Sequence, residues 1–324
     1  MPERWLGATP PDRALAPGIV EAVQLYMTAS KAPNTVRAYG SDMRDFEAWC
    51  RAYSQQPLPA TPQTVALYLT ALAEIGYKPA SIQRRRSAIS AAHRLAGHLP
   101  SPASDWQVQV TMAGINRRLG RAPAQKVALS IADLRTLLAA TASETAAGAR
   151  DRALLLLGFA GGFRRGELVA LDVEDLAVTD QGLRVTIRRS KTDQEGVGRE
   201  VGIPWGGQTT TCPIRAVGAW RVAGHIDSGP LFRPIDRHGR VGATRLSDRA
   251  VARVIQRAAE HAGLDPRRYA GHSLRAGLAT AAAAAGAPER AIMAQTGHRS
   301  VTTLRRYIRS GTLFEENAAG YLGL

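Results

Sequence analysis

Gly271-His272-Ser273-Leu274-Arg275 is followed along the chain by Gly297-His298-Arg299 and by Arg305-Arg306-Tyr307. The first stretch sets a histidine and an arginine three residues apart, which places both side chains on one face of a helix. A second histidine stands 23 residues after that arginine, and a tyrosine follows nine residues later. Together these residues supply cations, hydrogen-bond donors and a phenol nucleophile, the groups needed to cut a phosphodiester without a metal.

The composition is that of a globular protein with an excess of positive charge. Hydrophobic residues make up 45% of the 324 positions, and the formal net charge is +15. The longest apolar runs, 153–163 and 276–287, are too short to span a bilayer. The charge therefore favours nucleic acid over lipid as the polyanionic partner. The start of the chain lacks the pattern of a signal peptide, so we expect a soluble, cytoplasmic, nucleoid-associated protein.

Arginine dominates the basic residues, since only four of the 42 are lysine. The planar guanidinium of arginine forms bidentate hydrogen bonds with phosphate oxygens and with the edge of guanine, which suits a DNA-binding protein. Genomic codon bias would give the same ratio, and it remains an open explanation.

The hydrophobic pattern predicts two domains. Residues 1–17 are rich in proline and are predicted to be a flexible tail. The pattern predicts a helical bundle over residues 18–119 and a linker over 120–128. It predicts a second domain over 129–324, which ends in a short helix over 313–321.

Three local patterns refine this organisation. Asn34 is predicted to cap the first helix of the bundle, and Arg84, Arg85 and Arg86 to form a basic run on an outer face. In the second domain, the alternation over 183–189 and the return over 199–204 predict a β-hairpin.

Further candidates for phosphate chemistry precede the quoted stretch. Arg164 stands at a predicted helix junction with Glu167 three residues later, and Lys191 stands at the end of the first hairpin strand. Guanidinium groups neutralise phosphate oxygens, and a lysine or histidine protonates a leaving oxygen. Taken singly, each residue is more simply explained as a solvated charge or a core residue, but the six in this order form a specific set.

The set resembles the tyrosine recombinases of the phage integrase family, and the resemblance extends from about residue 18 to the C-terminus. Gly-Phe-Arg164-Arg-Gly-Glu167 is similar to the first arginine box, Ser-Lys191-Thr to the hairpin lysine, and the quoted stretches to the two terminal boxes. The layout resembles Cre-like and Xer-like simple recombinases. The resemblance implies a mainly α fold with a small β-hairpin or sheet (α+β), in a two-domain, C-shaped DNA clamp with a SAM-like core-binding domain at 18–119.

The resemblance also implies roles for the residues. Tyr307 would attack the scissile phosphate and become the 3′-phosphotyrosine, while Arg164, Arg275 and His298 would hold the phosphate oxygens. Neither a metal nor another cofactor is implied.

Proton transfer would fall to the remaining residues. Lys191 would act as the general acid for the 5′-hydroxyl, and His272 would deprotonate the tyrosine or bind the phosphate. Glu167 would orient the arginines without doing chemistry itself. Position 165 is also arginine, where the family usually has an apolar residue, and the spacing to Glu167 favours Arg164 as the catalytic one.

Two helices are candidates for contact with DNA, although a solvated basic face is an equal alternative for each arginine. Their candidate residues are Arg84, Arg86, Arg249, Arg253 and Arg257. The resemblance implies duplex DNA with inverted half-sites, and a homotetramer in the synapse that is a monomer or dimer otherwise. Helix 313–321 would dock on a neighbour or on its own domain.

Two other functions use the same residue types. A type IB topoisomerase shares the nucleophile and the cations but relaxes DNA as a monomer. A non-catalytic DNA-binding regulator would need no nucleophile beside two histidines, which argues against that function.

Overall fold

The computed structural model describes residues 30–120, 126–142, 144–190 and 197–302, and the single residues Gly18, Ala22, Leu25, Tyr26, Leu304, Arg305, Tyr307 and Leu322. The chain divides into two compact units, 1–123 and 124–324. The predicted tail 1–17 and the predicted helix 313–321 lie outside the described residues. The domain boundaries and the C-shaped clamp stay predictions.

The described part of the first unit is helical. It contains α1 (Pro33–Ala52), α2 (Pro62–Glu74), α3 (Pro79–Leu95) and α4 (Trp106–Leu119). Three of these helices begin with proline, whose fixed φ suits the first turn. In α2, Thr61 completes the start by accepting a hydrogen bond from the Thr64 amide at 3.1 Å.

Apolar side chains from all four helices form the core of this unit. Its fully buried members include Phe46, Val65, Leu69, Ile82 and Val108. The helical bundle predicted from the 3–4 spacing is therefore confirmed for the described residues.

Two local predictions in this unit are wrong. Asn34 does not cap α1, because Pro33 is already the first helical residue and Ala32 occupies the cap position. Arg85 does not lie on the outer basic face, since it is only 6% exposed. Its guanidinium pairs with Asp42 and Asp45, and this compensates the burial of its charge.

The described part of the second unit combines helices with a small sheet. Its helices in the described residues are α5 (Ile131–Ala139), α6 (Ala146–Ala160), α7 (Arg165–Ala170), α8 (Pro213–Gly224), α9 (Asp248–His261), α10 (His272–Ala284) and α11 (Glu289–Thr296). Helix α6 is buried on nearly every face and packs along α8 and α10, because residues 153–160 are apolar without interruption.

The sheet is antiparallel with strand order β1 (Leu176–Thr179), β2 (Gly182–Ile187), β3 (Arg199–Pro204). The predicted hairpin is confirmed as β2 and β3, in register from Gly182 opposite Pro204 to Ile187 opposite Arg199. The sequence did not predict the edge strand β1, because this strand has only four residues and no alternation of buried and exposed positions. With it, the mainly α fold with a small sheet is confirmed.

Within the described residues, every helix is too short or too polar to cross a membrane.

Candidate active site

The first arginine of the site lies where α7 begins. Arg164 occupies the cap position, its backbone N–H donates to Glu167 Oε2 at 3.0 Å, and its Nη1 donates to Oε1 at 2.5 Å. Glu167 is only 3% exposed, so this carboxylate fixes both the backbone and the guanidinium of Arg164. Arg165 instead extends over Gly271 towards Asp248.

The second arginine is buried inside α10. Arg275 is 1% exposed, and its Nη1 donates to the carbonyls of Gly162 (2.9 Å) and Thr296. Its Nη2 is buried and has no hydrogen-bond partner among the described residues. Burial and the nearby Arg164 lower the pKa of Arg275 to about 10, so the group stays charged at neutral pH. A buried cationic donor without a partner favours an anionic ligand.

The tyrosine meets the first histidine of the quoted stretch. His272 Nε2 lies 2.6 Å from the Tyr307 hydroxyl oxygen, although the two residues are 35 positions apart. Desolvation, Arg275 and Arg164 lower the pKa of His272, so its imidazole is neutral at pH 7. A neutral ring with an unprotonated Nε2 accepts the phenol hydrogen and is placed to take that proton.

The second histidine also lies close to the phenol. The ring centroids of His298 and Tyr307 are 5.8 Å apart, and those of His272 and Tyr307 are 6.0 Å apart. Burial, with Arg275 and Arg164, lowers the pKa of His298 to about 4. The chain reaches His298 through Gly297, whose positive φ of 65° ends α11.

Thr296 determines which nitrogen of His298 carries the hydrogen. Its hydroxyl donates to the Ile292 carbonyl at 2.6 Å and lies 2.7 Å from His298 Nδ1. Because the single hydroxyl hydrogen is used on the carbonyl, we assign Nδ1 as the donor to Thr296. In the neutral ring Nε2 then carries no hydrogen. His298 must therefore gain a proton before Nε2 can donate a hydrogen bond to an anion.

Arg199 belongs to the same cluster, and sequence reasoning missed it. It begins β3, and its Nη2 donates to Glu167 Oε2 at 3.3 Å. Desolvation lowers its pKa, and Arg164 acts in the same direction. Arg164 and Arg199 thus bond the Glu167 carboxylate, and Arg275 lies near enough to feel its charge. Three guanidinium groups beside one described carboxylate leave a net positive charge that suits a phosphate.

Lys191, the predicted general acid, lies outside the described residues. It belongs to the stretch between the end of β2 and the start of β3. The remaining site candidates Arg164, His272, Arg275, His298 and Tyr307 are brought together in the second unit.

The arginines predicted to contact DNA have different environments. In α3, Arg84 forms two 2.9 Å hydrogen bonds with Asp42, and Arg86 donates to the Ala103 carbonyl at 2.9 Å. In α9, Arg257 pairs with Asp151 at 3.0 Å. Arg249 and Arg253 are exposed on the same helix, one turn apart. Contact with DNA stays a prediction for all five.

Family comparisons agree with this geometry. The model of the Phage integrase family matches residues 128–312, more than half of the chain, and that of the phage integrase N-terminal SAM-like domain matches residues 24–98. The chain belongs to the phage integrase family. The resemblance inferred from the sequence is thereby confirmed.

Relatives in this family cover most of the chain. An integrase/recombinase xerD homolog of Selenomonas ruminantium is 40% identical over 291 residues, which cover 89% of this chain and 85% of the relative. Recombinase cre of Escherichia phage P1 is 27% identical over 287 residues, 82% of this chain and 81% of the relative. Among solved structures, a lambda integrase dimer bound to a COC′ core site has a TM-score of 0.60 at 19% identity, covering 90% of this chain and 95% of that chain. This last likeness supports the fold.

Proposed function

We propose that this chain is a site-specific DNA recombinase, which cuts and rejoins duplex DNA through a 3′-phosphotyrosine intermediate and a Holliday junction. The observation that carries the proposal is the 2.6 Å contact between His272 Nε2 and the Tyr307 hydroxyl, beside the buried cation of Arg275. A nucleophile, a proton acceptor and a fixed positive charge stand together, as transesterification of a phosphodiester requires.

The cleavage step follows from these positions. The Tyr307 oxygen attacks phosphorus and forms a P–O bond, and its proton passes to His272. The bond from phosphorus to the 5′-oxygen breaks, and that oxygen gains a proton to leave as a hydroxyl. Arg164 and Arg275 neutralise the non-bridging oxygens, and His298 joins them once it is protonated. The tyrosyl ester conserves the phosphodiester, so rejoining by a 5′-hydroxyl requires no ATP.

Lys191 is proposed as the acid that protonates the 5′-oxygen. Its place between β2 and β3 supports this, because β3 begins at Arg199 and Arg199 touches the site through Glu167. We expect Lys191→Ala to slow cleavage of an ordinary phosphodiester. A 5′-bridging phosphorothioate should restore the rate, since sulfur leaves without a proton. Absence of rescue would assign the acid to another residue.

The partner proposed is duplex DNA with two inverted half-sites, bound by a homotetramer in the synapse and by monomers or dimers before it. The excess of positive charge over the whole chain supports DNA binding. The solved lambda integrase is described as a dimer on its core site, which supports assembly on DNA in this family. The proposed setting is the cytoplasm, at the nucleoid.

Covalent capture tests the proposal and identifies the DNA target sequence in the same experiment. Nicked duplexes with randomised inverted half-sites are incubated with the protein in EDTA, and adducts are recovered after denaturation. We expect enrichment of one sequence on the wild-type protein. Tyr307→Phe should bind the enriched duplex with unchanged affinity and yield no adduct. An adduct with that variant would refute the assignment of the nucleophile.

The same duplex separates the rival functions. A type IB topoisomerase would relax plasmids that lack the enriched site. A DNA-binding regulator would shift the duplex in a gel and form no phosphotyrosine. Relatives carrying integrase and recombinase names support the recombinase instead.

A further inference from the structure

Arg199 joins three parts of the second unit at one guanidinium. Its Nη2 donates to Glu167 Oε2 at 3.3 Å, and its Nη1 donates to the Gln295 carbonyl at 3.1 Å. A Cβ built on Gly297 would lie 2.8 Å from Arg199 Nε, so the guanidinium packs directly against that glycine. Strand β3, helix α7 and the end of α11 therefore share this one side chain.

Glu167 is the link between Arg199 and the phosphate-binding arginine. Its Oε2 accepts from both Arg199 and the backbone of Arg164, and its Oε1 accepts from the Arg164 guanidinium. The carboxylate is buried, and its position depends on the donors around it. Without Arg199, the carboxylate would lose the donor from β3, and the hydrogen bonds left to it among the described residues would come from Arg164, the residue that it positions.

The terminal nitrogens of Arg199 are directed at protein groups. Its side chain is 22% exposed, and its two terminal nitrogens donate to protein oxygens. Its buried Nε faces Gly297 and has no hydrogen-bond partner among the described residues. Arg275, by contrast, keeps a terminal nitrogen without a partner among the described residues. Arg199 is thus placed to hold another protein group in position.

We propose that Arg199 is a positioning residue, which fixes Arg164 for phosphate binding through the carboxylate of Glu167. Because Arg199 also begins β3, it ties the start of this strand to the same carboxylate. This inference rests on the proposed recombinase function. Misplacement of a catalytic group by about 1 Å can lower a rate by about 100-fold. We expect Arg199→Gln to lower the single-turnover rate of adduct formation by about 10- to 100-fold.

The experiment measures adduct formation on the duplex recovered by covalent capture. Arg184→Gln is the matched control, because Arg184 is exposed on β2 and its replacement removes the same charge. Wild type and Arg184→Gln should react at equal rates. If neither forms an adduct, the proposed function itself fails. If both react and Arg199→Gln matches them, the function stands and the role of Arg199 is refuted.

A double-mutant cycle distinguishes positioning from a general disruption of structure. If Arg199 acts through Glu167, Arg199→Gln should add little to the defect of Glu167→Gln. If the double variant instead showed a rate defect equal to the product of the two single defects, the proposal would be overturned. Arg199→Lys provides a second variant should Arg199→Gln fold poorly, because it keeps the charge and can still reach one acceptor. We expect its rate to lie between wild type and Arg199→Gln, with an unchanged melting temperature; a rate as low as that of Arg199→Gln would contradict the role.

Discussion

Acidification should destabilise the DNA-free protein through His298. The pKa of this residue is 6.5 in an unfolded chain and about 4 in the folded protein, because burial and the neighbouring arginines disfavour its cation. Between these two values the unfolded state binds more protons than the folded state. The free energy of unfolding therefore falls as the pH falls from 6.5 towards 4.

The size of the effect follows from the same two pKa values. Linkage gives a decrease of about 2 kcal/mol between pH 7 and pH 5. The imidazole is only partly buried, so screening by solvent reduces the expected decrease to roughly 1–2 kcal/mol. Bound DNA should act in the opposite direction. A phosphate beside His298 offsets Arg164 and Arg275 and raises the pKa of the imidazole.

Two measurements check this expectation. Denaturant unfolding of wild type and His298→Gln at pH 7 and pH 5 isolates the residue, since other titrating groups are common to both proteins. The free energy of unfolding should fall by roughly 1–2 kcal/mol more in the wild type than in the variant on acidification. An NMR titration of the His298 ring should give a midpoint near 4. A midpoint at or above 6.5, or equal decreases in both proteins, would refute the reasoning.

Three further predictions concern other parts of the chain. Gly297→Ala should cost about 1–2 kcal/mol of stability in a melting experiment, because Gly297 has a φ of 65° and the new Cβ would meet Arg199. An undiminished melting temperature would contradict this. Arg249→Gln together with Arg253→Gln should reduce the slope of log affinity against log salt by about 0.9 for each phosphate that the variant no longer neutralises; an unchanged slope would remove both from the interface. Leu155→Ala in α6 should cost about 2–5 kcal/mol in urea unfolding, since the side chain is fully buried, and a smaller effect would mean that the core closes over the cavity.

Patterns with a strict period were readable from the sequence. The sequence shows helical patterns over Pro213–Gly224 and Glu289–Thr296, where proline and glycine mark the ends, and α8 and α11 have these bounds. The hairpin of β2 and β3 was readable because each strand alternates between a buried and an exposed face. The short edge strand β1 lacks that alternation.

Side-chain partners over long distances were not readable. Nothing local marks Arg85 as buried, since its partners Asp42 and Asp45 lie some 40 positions away. The same holds for Arg199, whose contact with Glu167 spans 32 positions. The cluster around Tyr307 was predicted through resemblance to a family, because spacing alone does not show that residues far apart in the chain will meet.

The hydrogen bond between His272 and Tyr307 has a consequence for mixed assemblies. Both partners come from one polypeptide, so we expect each subunit of the proposed tetramer to use its own nucleophile and its own proton acceptor. A blend of Arg275→Ala and Tyr307→Phe subunits on one synapse should then show no complementation, because neither polypeptide holds a complete set. Recovery of cleavage in such a blend would mean that the tyrosine is exchanged between subunits when the synapse forms.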